Sequence, residues 1–199
     1  LYNCSCLKSF FQHPHPNMTK ETDIKLKEVR VSQKIKGKAP PQIKKEIGTA
    51  LEGDTDIYID AAALEKVKEH ASLAPASEVG GVLVGDVCEH EGQSYVIVTD
   101  AIHAEHAVER TASITFTEDT WGEVLDEMEK RFPGKKIVGW YHSHPRYGVF
   151  LSEKDLFIHK NFFREIYQVA FVIDPVNKDC GFFRWKEKKV VRVGGFFVY

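Results

Sequence analysis

Hydrophobic and polar positions change period several times along the chain, and each change marks an expected element. "AAALEKVKEHASL" brings Leu64, Val67 and Ala71 to one face at helical spacing. "EDTWGEVLDEMEKRF" predicts a helix more strongly. Its Trp121, Val124, Leu125, Met128 and Phe132 recur at i, i+3, i+4, i+7 and i+11, with acids in the first turn and Lys130 and Arg131 in the last. That charge order complements the helix dipole. A third helix is expected in "SEKDLFIHKNFF". "DIYID", "EVGGVLVGDVCEH", "QSYVIVTDAIH", "KKIVGWYHSH" and "YQVAFVIDP" are apolar runs bounded by turn formers or Pro, as strands require. "SITFT" alternates, and "CGFFRWKEKKVVRV" reads as a hairpin turning near Lys186 to Lys189. Strands and helices mix without strict alternation, so the fold class is α/β of the α+β type, a mixed sheet packed by helices.

The first fifty residues follow another pattern. Between Lys20 and Ile47 nine Lys/Arg stand against four Asp/Glu, an excess of 9 − 4 = +5. "IKLKEVRVS" alternates weakly, like an edge strand, and "GKAPPQ" reads as a linker because Pro40 and Pro41 suit neither a helix nor a central ladder. The expected division is a basic, partly flexible extension over 1–50 and a compact domain over 51–199.

Bulk properties narrow the function. A hydrophobic share of 43% and a charged share of 28% are those of a globular protein. A net charge of −2 gives no pull toward nucleic acid or an anionic membrane, and no apolar run reaches the roughly 18 to 20 residues of a membrane span. "LYNCSCLKSFFQHPHP" lacks the apolar core and cleavage site of a secretory signal, so cytoplasm is the expected compartment. Cys4, Cys6, Cys88 and Cys180 are expected to be reduced there.

"GWYHSHPRYGVFLSEKD", Gly139 to Asp155, concentrates the chemistry. Taken singly, its halves are ordinary: His142 and His144 suit a strand end, and Ser152 with Asp155 suits a helix cap. Together they change meaning. Residues i and i+2 of a strand share a face about 6 to 7 Å apart, and a loop can return the first turn of the next helix beside them. Two His and one carboxylate form a ligand set for catalytic zinc that leaves a position to water.

These residues resemble the JAMM (MPN+) metalloproteases, which include deubiquitinating enzymes of the proteasome lid and the signalosome. The signature H-x-H, seven residues, S-x-x-D reads here as His142, His144, Ser152 and Asp155 without a gap, preceded by "IVGWY". The family places a glutamate before an apolar glycine-containing strand, and Glu78 in "SEVGGVLVGD" matches. "FVIDP" also looks like the family's. The resemblance covers about 54–199 and implies an MPN domain with a curved mixed sheet. It implies that His142, His144 and Asp155 bind one Zn²⁺ per chain, that Glu78 acts as general base and then acid, and that Ser152 stabilises the oxyanion. It also implies a ubiquitin-like protein or its conjugate as substrate, with a second copy or a larger complex as partner. The substrate tail would lie along a strand edge, for which Ser113, Thr115 and Thr117 are the expected positions.

Arg146 stands where eukaryotic members often have Gly, Phe150 stands nearest to their Trp, and only "VNKDCGFF" follows the "DP" strand where they carry an insertion. The chain therefore looks like the compact prokaryotic members. A peptidase acting on other peptides and a non-catalytic MPN scaffold are the alternatives, and scaffold members usually lack one or more ligands. His103 and His106 have no matching third ligand and read as loop residues.

Overall fold

A computed structural model describes residues 34–51, 56–104 and 116–199. Cys4, Cys6, "IKLKEVRVS", His106, Ser113 and Thr115 fall outside them. Ten strands of the described residues form one mixed sheet: β1 (Ile35–Lys36), β2 (Lys45–Gly48), β3 (Ile57–Ile59), β4 (Gly80–His90), β5 (Gln93–His103), β6 (Lys136–Ser143), β7 (Val169–Asp174), β8 (Asp179–Lys186), β9 (Lys189–Arg192) and β10 (Gly195–Val198). Their order across the sheet is β2-β10-β3-β5-β4-β6-β7-β8-β9, with β1 parallel to the far end of β4. Among the described residues three helices pack on the sheet, α1 (Ala61–Leu73), α2 (Glu118–Arg131) and α3 (Glu153–Phe162). None is long and apolar enough to cross a membrane.

Each helix begins where its sequence supplies a cap. The Asp60 carboxylate accepts from the amides of Ala62 and Ala63 at 2.8 and 3.3 Å. Thr117 closes a capping box with Thr120, and Ser152 one with Asp155.

The strands carry a core on both faces. Leu83, Tyr141, Phe171 and Phe182 pack with Leu64, Val67 and Ala71 of α1. Val82, Val84, Trp140, Val172 and Phe183 pack with Trp121, Val124, Leu125 and Met128 of α2 and Ile158 of α3. Neighbours in one strand divide between the two sets, as a two-residue period requires. The sheet is thus a middle layer, with α1 on one face and α2 and α3 on the other. Truncating a fully buried ring such as Phe171 is expected to cost about 3–5 kcal/mol.

One irregularity aims the site. On β6, Gly139 pairs with Leu83 and Ile137 with Val84, so Val138 is an extra, bulged residue. Beyond the bulge Trp140 and His142 face the α2/α3 side, while Tyr141 faces α1. β6 and β7 are parallel with α3 between them, so the C-terminal end of β6 opens beside the first turn of α3. That end of a parallel pair is where α/β sheets place ligands.

Of the expected extension, 34–50 are described, and they join the sheet. β2 runs antiparallel to β10, and the Gly37 amide donates to the Glu89 carbonyl at 2.8 Å.

Candidate metal centre

β6 delivers the two histidines. His142 is in register with Val172 of β7, and its ring stacks on Trp140 at 4.6 Å and 10°. His144 lies just past the strand, and its amide donates to the Ile173 carbonyl at 2.8 Å. The two rings are nearly perpendicular, at 75°, and their Nε2 atoms are 3.0 Å apart. Asp155, at the third position of α3, completes the group. Its Oδ1 is 3.4 Å from His142 Nε2, and its Oδ2 is 3.6 Å from His144 Nε2. The capping box orients it, since the Ser152 amide donates to Oδ2 at 2.7 Å and the Asp155 amide donates to Ser152 Oγ at 3.2 Å.

Glu78 arrives from the other side of β6, two residues before β4 rather than on it. Ser143, the residue between the histidines, holds it there. The Ser143 amide donates to the Val79 carbonyl at 2.8 Å, and the Val79 amide donates to Ser143 Oγ at 3.0 Å. Glu78 Oε1 thereby comes within 3.7 Å of His144 Nε2.

The electrostatics are those of a closed, polar corner. His142, His144 and Asp155 are all buried, while the Glu78 side chain keeps 12% of its surface open. Burial raises the Glu78 pKa against the opposing pull of His144 and His142. Burial also works against the charge of Asp155, but the hydrogen bonds of His142, His144 and Ser152 outweigh it and keep the carboxyl well below its ordinary range. For His144, burial favours the neutral ring, and Asp155 and Glu78 reverse the balance and raise its pKa.

The three donor groups also fit a cation. Ligand bonds of 2.0–2.1 Å at a tetrahedral angle put donor atoms about 3.3–3.4 Å apart, and the separations here are 3.0, 3.4 and 3.6 Å. Two imidazole nitrogens with their outer nitrogens turned away, plus a carboxylate, are the donors that zinc accepts. Among the described residues this is the group of His, Cys, Asp and Glu whose donor atoms converge closely enough to hold a metal ion.

A model of the family described as "JAB1/Mov34/MPN/PAD-1 ubiquitin protease" matches residues 52–167. The chain belongs to this family. Ubiquitin carboxyl-terminal hydrolase RPN11 of Saccharomyces cerevisiae is 28% identical over 141 residues, which cover 68% of this chain and 45% of that protein. COP9 signalosome complex subunit 5 of Candida albicans is 34% identical over 149 residues, 71% of this chain and 22% of that protein. The chain thus spans less than half the length of these relatives. The solution structure of protein DSY2949 from Desulfitobacterium hafniense matches with a TM-score of 0.56 at 18% identity, covering 72% of this chain and 92% of that one. It bears on the fold alone.

Within this MPN domain His142, His144, Asp155, Ser152 and Glu78 come together at one end of β6. Of the expected substrate edge, Thr117 alone is among the described residues. Ser113 and Thr115 lie outside the described residues, and Thr117 caps α2, accepting from the Thr120 amide at 3.2 Å, instead of lying on a strand. A polar residue just before a helix with acids in its first turn carries the cap signal as well as the alternation of "SITFT", and the cap prevails. His103 is the last residue of β5 rather than a loop residue, with its ring stacked on His70 at 4.0 Å.

Three supports of the site escape a reading of the sequence. Ser143 is legible there only as the middle of H-x-H. Asp174, whose Oδ2 accepts from the Gly148 amide at 2.8 Å in the turn after His144, is legible only as a strand end before Pro175. His159 accepts from Trp140 Nε1 at 3.0 Å, beneath the ring on which His142 stacks. Its position one helical turn past Asp155 is the available signal.

Proposed function

We propose that this MPN domain is a zinc-dependent isopeptidase that hydrolyses an amide bond at the C-terminus of a ubiquitin-like protein. The observation that carries this reading is the convergence of His142, His144 and Asp155 on one point with the Glu78 carboxylate 3.7 Å from His144. His142, His144 and Asp155 would hold one zinc ion per chain. When bound, zinc supplies a Lewis acid that polarises a carbonyl and lowers the pKa of a water from 15.7 toward about 7.

Glu78 takes the proton of the attacking water and later gives it to the leaving amine, so one carboxyl serves as base and then acid. Its half-buried position suits both roles, because it reaches the open side of the corner while burial keeps it readily protonated. Ser152 Oγ accepts from the Asp155 amide, which leaves its O–H to donate to the oxyanion of the tetrahedral intermediate. The family membership supports amide hydrolysis as the reaction class, and the names of the relatives support ubiquitin-like proteins as the substrate class.

The test is a panel of ubiquitin-like proteins with short C-terminal extensions, incubated with the zinc-loaded chain. At least one is expected to be cut after its C-terminal residue, with cleavage stopped by a chelator and restored by zinc. Zinc binding without any cleavage turns the reading to a scaffold subunit. Preferential cutting of unstructured peptides turns it to a general peptidase.

A further inference from the structure

We infer that Asp174, at the end of β7, is a positioning residue that aims His144 at the metal through the turn between them. The inference rests on the zinc reading above and extends it to a residue outside the ligand set.

Asp174 is fully buried, yet its carboxylate is saturated with donors. Oδ1 accepts from the amides of Arg146, Val176 and Asn177, each at 3.0 Å. Oδ2 accepts from the Gly148 amide at 2.8 Å and from Asn177 Nδ2 at 2.7 Å. Burial opposes the charge, but these amides outweigh it and hold the carboxyl well below its ordinary range. A buried carboxylate is retained at such cost only where several hydrogen bonds stabilise its ionised form.

Two of those donors belong to the turn after His144, and the turn resists its own shape. Arg146 has φ +74° and Gly148 φ +83°. The left-handed region is open to glycine, but a side chain such as that of Arg146 adopts it only when its surroundings impose it. Asp174 supplies the imposition by gripping the amides of both residues. The consequence falls on His144, whose Nδ1 donates to the Gly148 carbonyl at 3.3 Å. That hydrogen bond fixes the tautomer with the proton on Nδ1, so the Nε2 lone pair faces Asp155, His142 and Glu78. The chain of interactions runs from Asp174 to the Gly148 amide, across the Gly148 Cα to its carbonyl, and on to the His144 ring.

Asp174→Asn separates the links. The amide oxygen of Asn can keep the three donors on the Oδ1 side, while its NH2 group then faces the Gly148 amide and Asn177 Nδ2, donor against donor. The hydrogen bond this breaks is the one that leads to His144. Zinc affinity, measured by competition with a chromophoric chelator, is expected to fall about 10-fold, the lower end of the range for a group bonded directly to a metal ligand, because Asp174 acts through Gly148. The visible spectrum of the cobalt-substituted protein is expected to change in parallel, which a merely structural role would not produce in a folded variant. Asn177→Ala removes one donor to Oδ2 from an exposed side chain. It keeps the question answerable if Asp174→Asn does not fold, and a smaller weakening in the same direction is expected.

Zinc affinity and cobalt spectrum equal to wild type in folded Asp174→Asn overturn the inference and leave the zinc reading standing. Where only Asn177→Ala folds, wild-type values in that variant do the same. A wild-type chain that binds no zinc overturns both.

Discussion

Two pairs of histidines lie on opposite faces of the sheet, and they differ in almost everything that a metal site needs. His142 and His144 meet edge to face, with their Nε2 atoms 3.0 Å apart and the Asp155 carboxylate against both. His70 and His103 lie flat on each other, 4.0 Å apart and 6° from parallel, and His70 Nδ1 is 2.7 Å from the Tyr141 hydroxyl. Tyr141 and His142 are adjacent in β6, so one strand serves both pairs. Gly81 leaves room for the Tyr141 ring, since a Cβ there would run into the Ile102 carbonyl oxygen and that ring. Histidines close in space do not define a metal site. Nitrogens aimed at one point, with a carboxylate to offset a cation, are the arrangement a metal ion can use.

The contrast can be broken most forcefully by exchanging the fates of the two pairs. His142→Ala is expected to weaken zinc binding by more than the roughly 10- to 100-fold typical of an outer partner, as read by chelator competition. His70→Gln is expected to leave zinc affinity unchanged. Equal weakening in the two variants would erase the distinction.

A second test stays within the metal corner. Ser152→Gly is expected to cost only about a few tenths of a kcal/mol in chemical denaturation, since glycine is a tolerated N-cap. Cleavage should nevertheless fall about 10²- to 10³-fold, as for a missing oxyanion donor. A fall in cleavage no larger than the fall in stability would reduce Ser152 to a cap.

On the other face, His70→Ala leaves the buried Tyr141 hydroxyl without the imidazole, at an expected cost of about 1–3 kcal/mol in unfolding with zinc affinity intact.

A further test concerns pH. Burial, joined by His103 in the case of His70, lowers the pKa values of His70 and His159 to about 4. Both sit below the ordinary value of 6.5, so the unfolded chain binds more protons between about pH 6.5 and 4. Stability is therefore complete above the upper limit and declines as pH falls through that window. His159→Gln should remove its share of the slope, at most about 1.4 kcal/mol per pH unit, as read from denaturation midpoints across the window. A slope unchanged from wild type would show that His159 does not titrate as its burial demands.

Much of this was legible in the sequence because it is local. Helical spacing located α1 and α2, the Ser152 to Asp155 box located α3, and the pair Lys186 and Lys189 marked the β8–β9 turn that the register confirms. H-x-H with S-x-x-D named the cluster because strand period and helix cap are both short-range rules. Long-range pairing was hidden. β2 is four mostly exposed residues in a basic stretch and exists as a strand because β10, at the far end of the chain, pairs with it. The bulge at Val138 depends on the register against β4, and no pattern within "KKIVGWYHSH" announces it. Asp174 was hidden for the same reason, since its partners Arg146 and Gly148 lie 28 and 26 residues away.

Glu78 and the proposed ligands His142, His144 and Asp155 are expected to form one hydrolytic centre, with binding and chemistry carried by different residues. Metal content and cleavage measured on the same preparation of Glu78→Gln test it most directly. One zinc per chain is expected, as in wild type, with cleavage reduced by about 10²- to 10⁴-fold, the reduction typical of a missing general base. Cleavage at the wild-type rate in that zinc-loaded variant would contradict it.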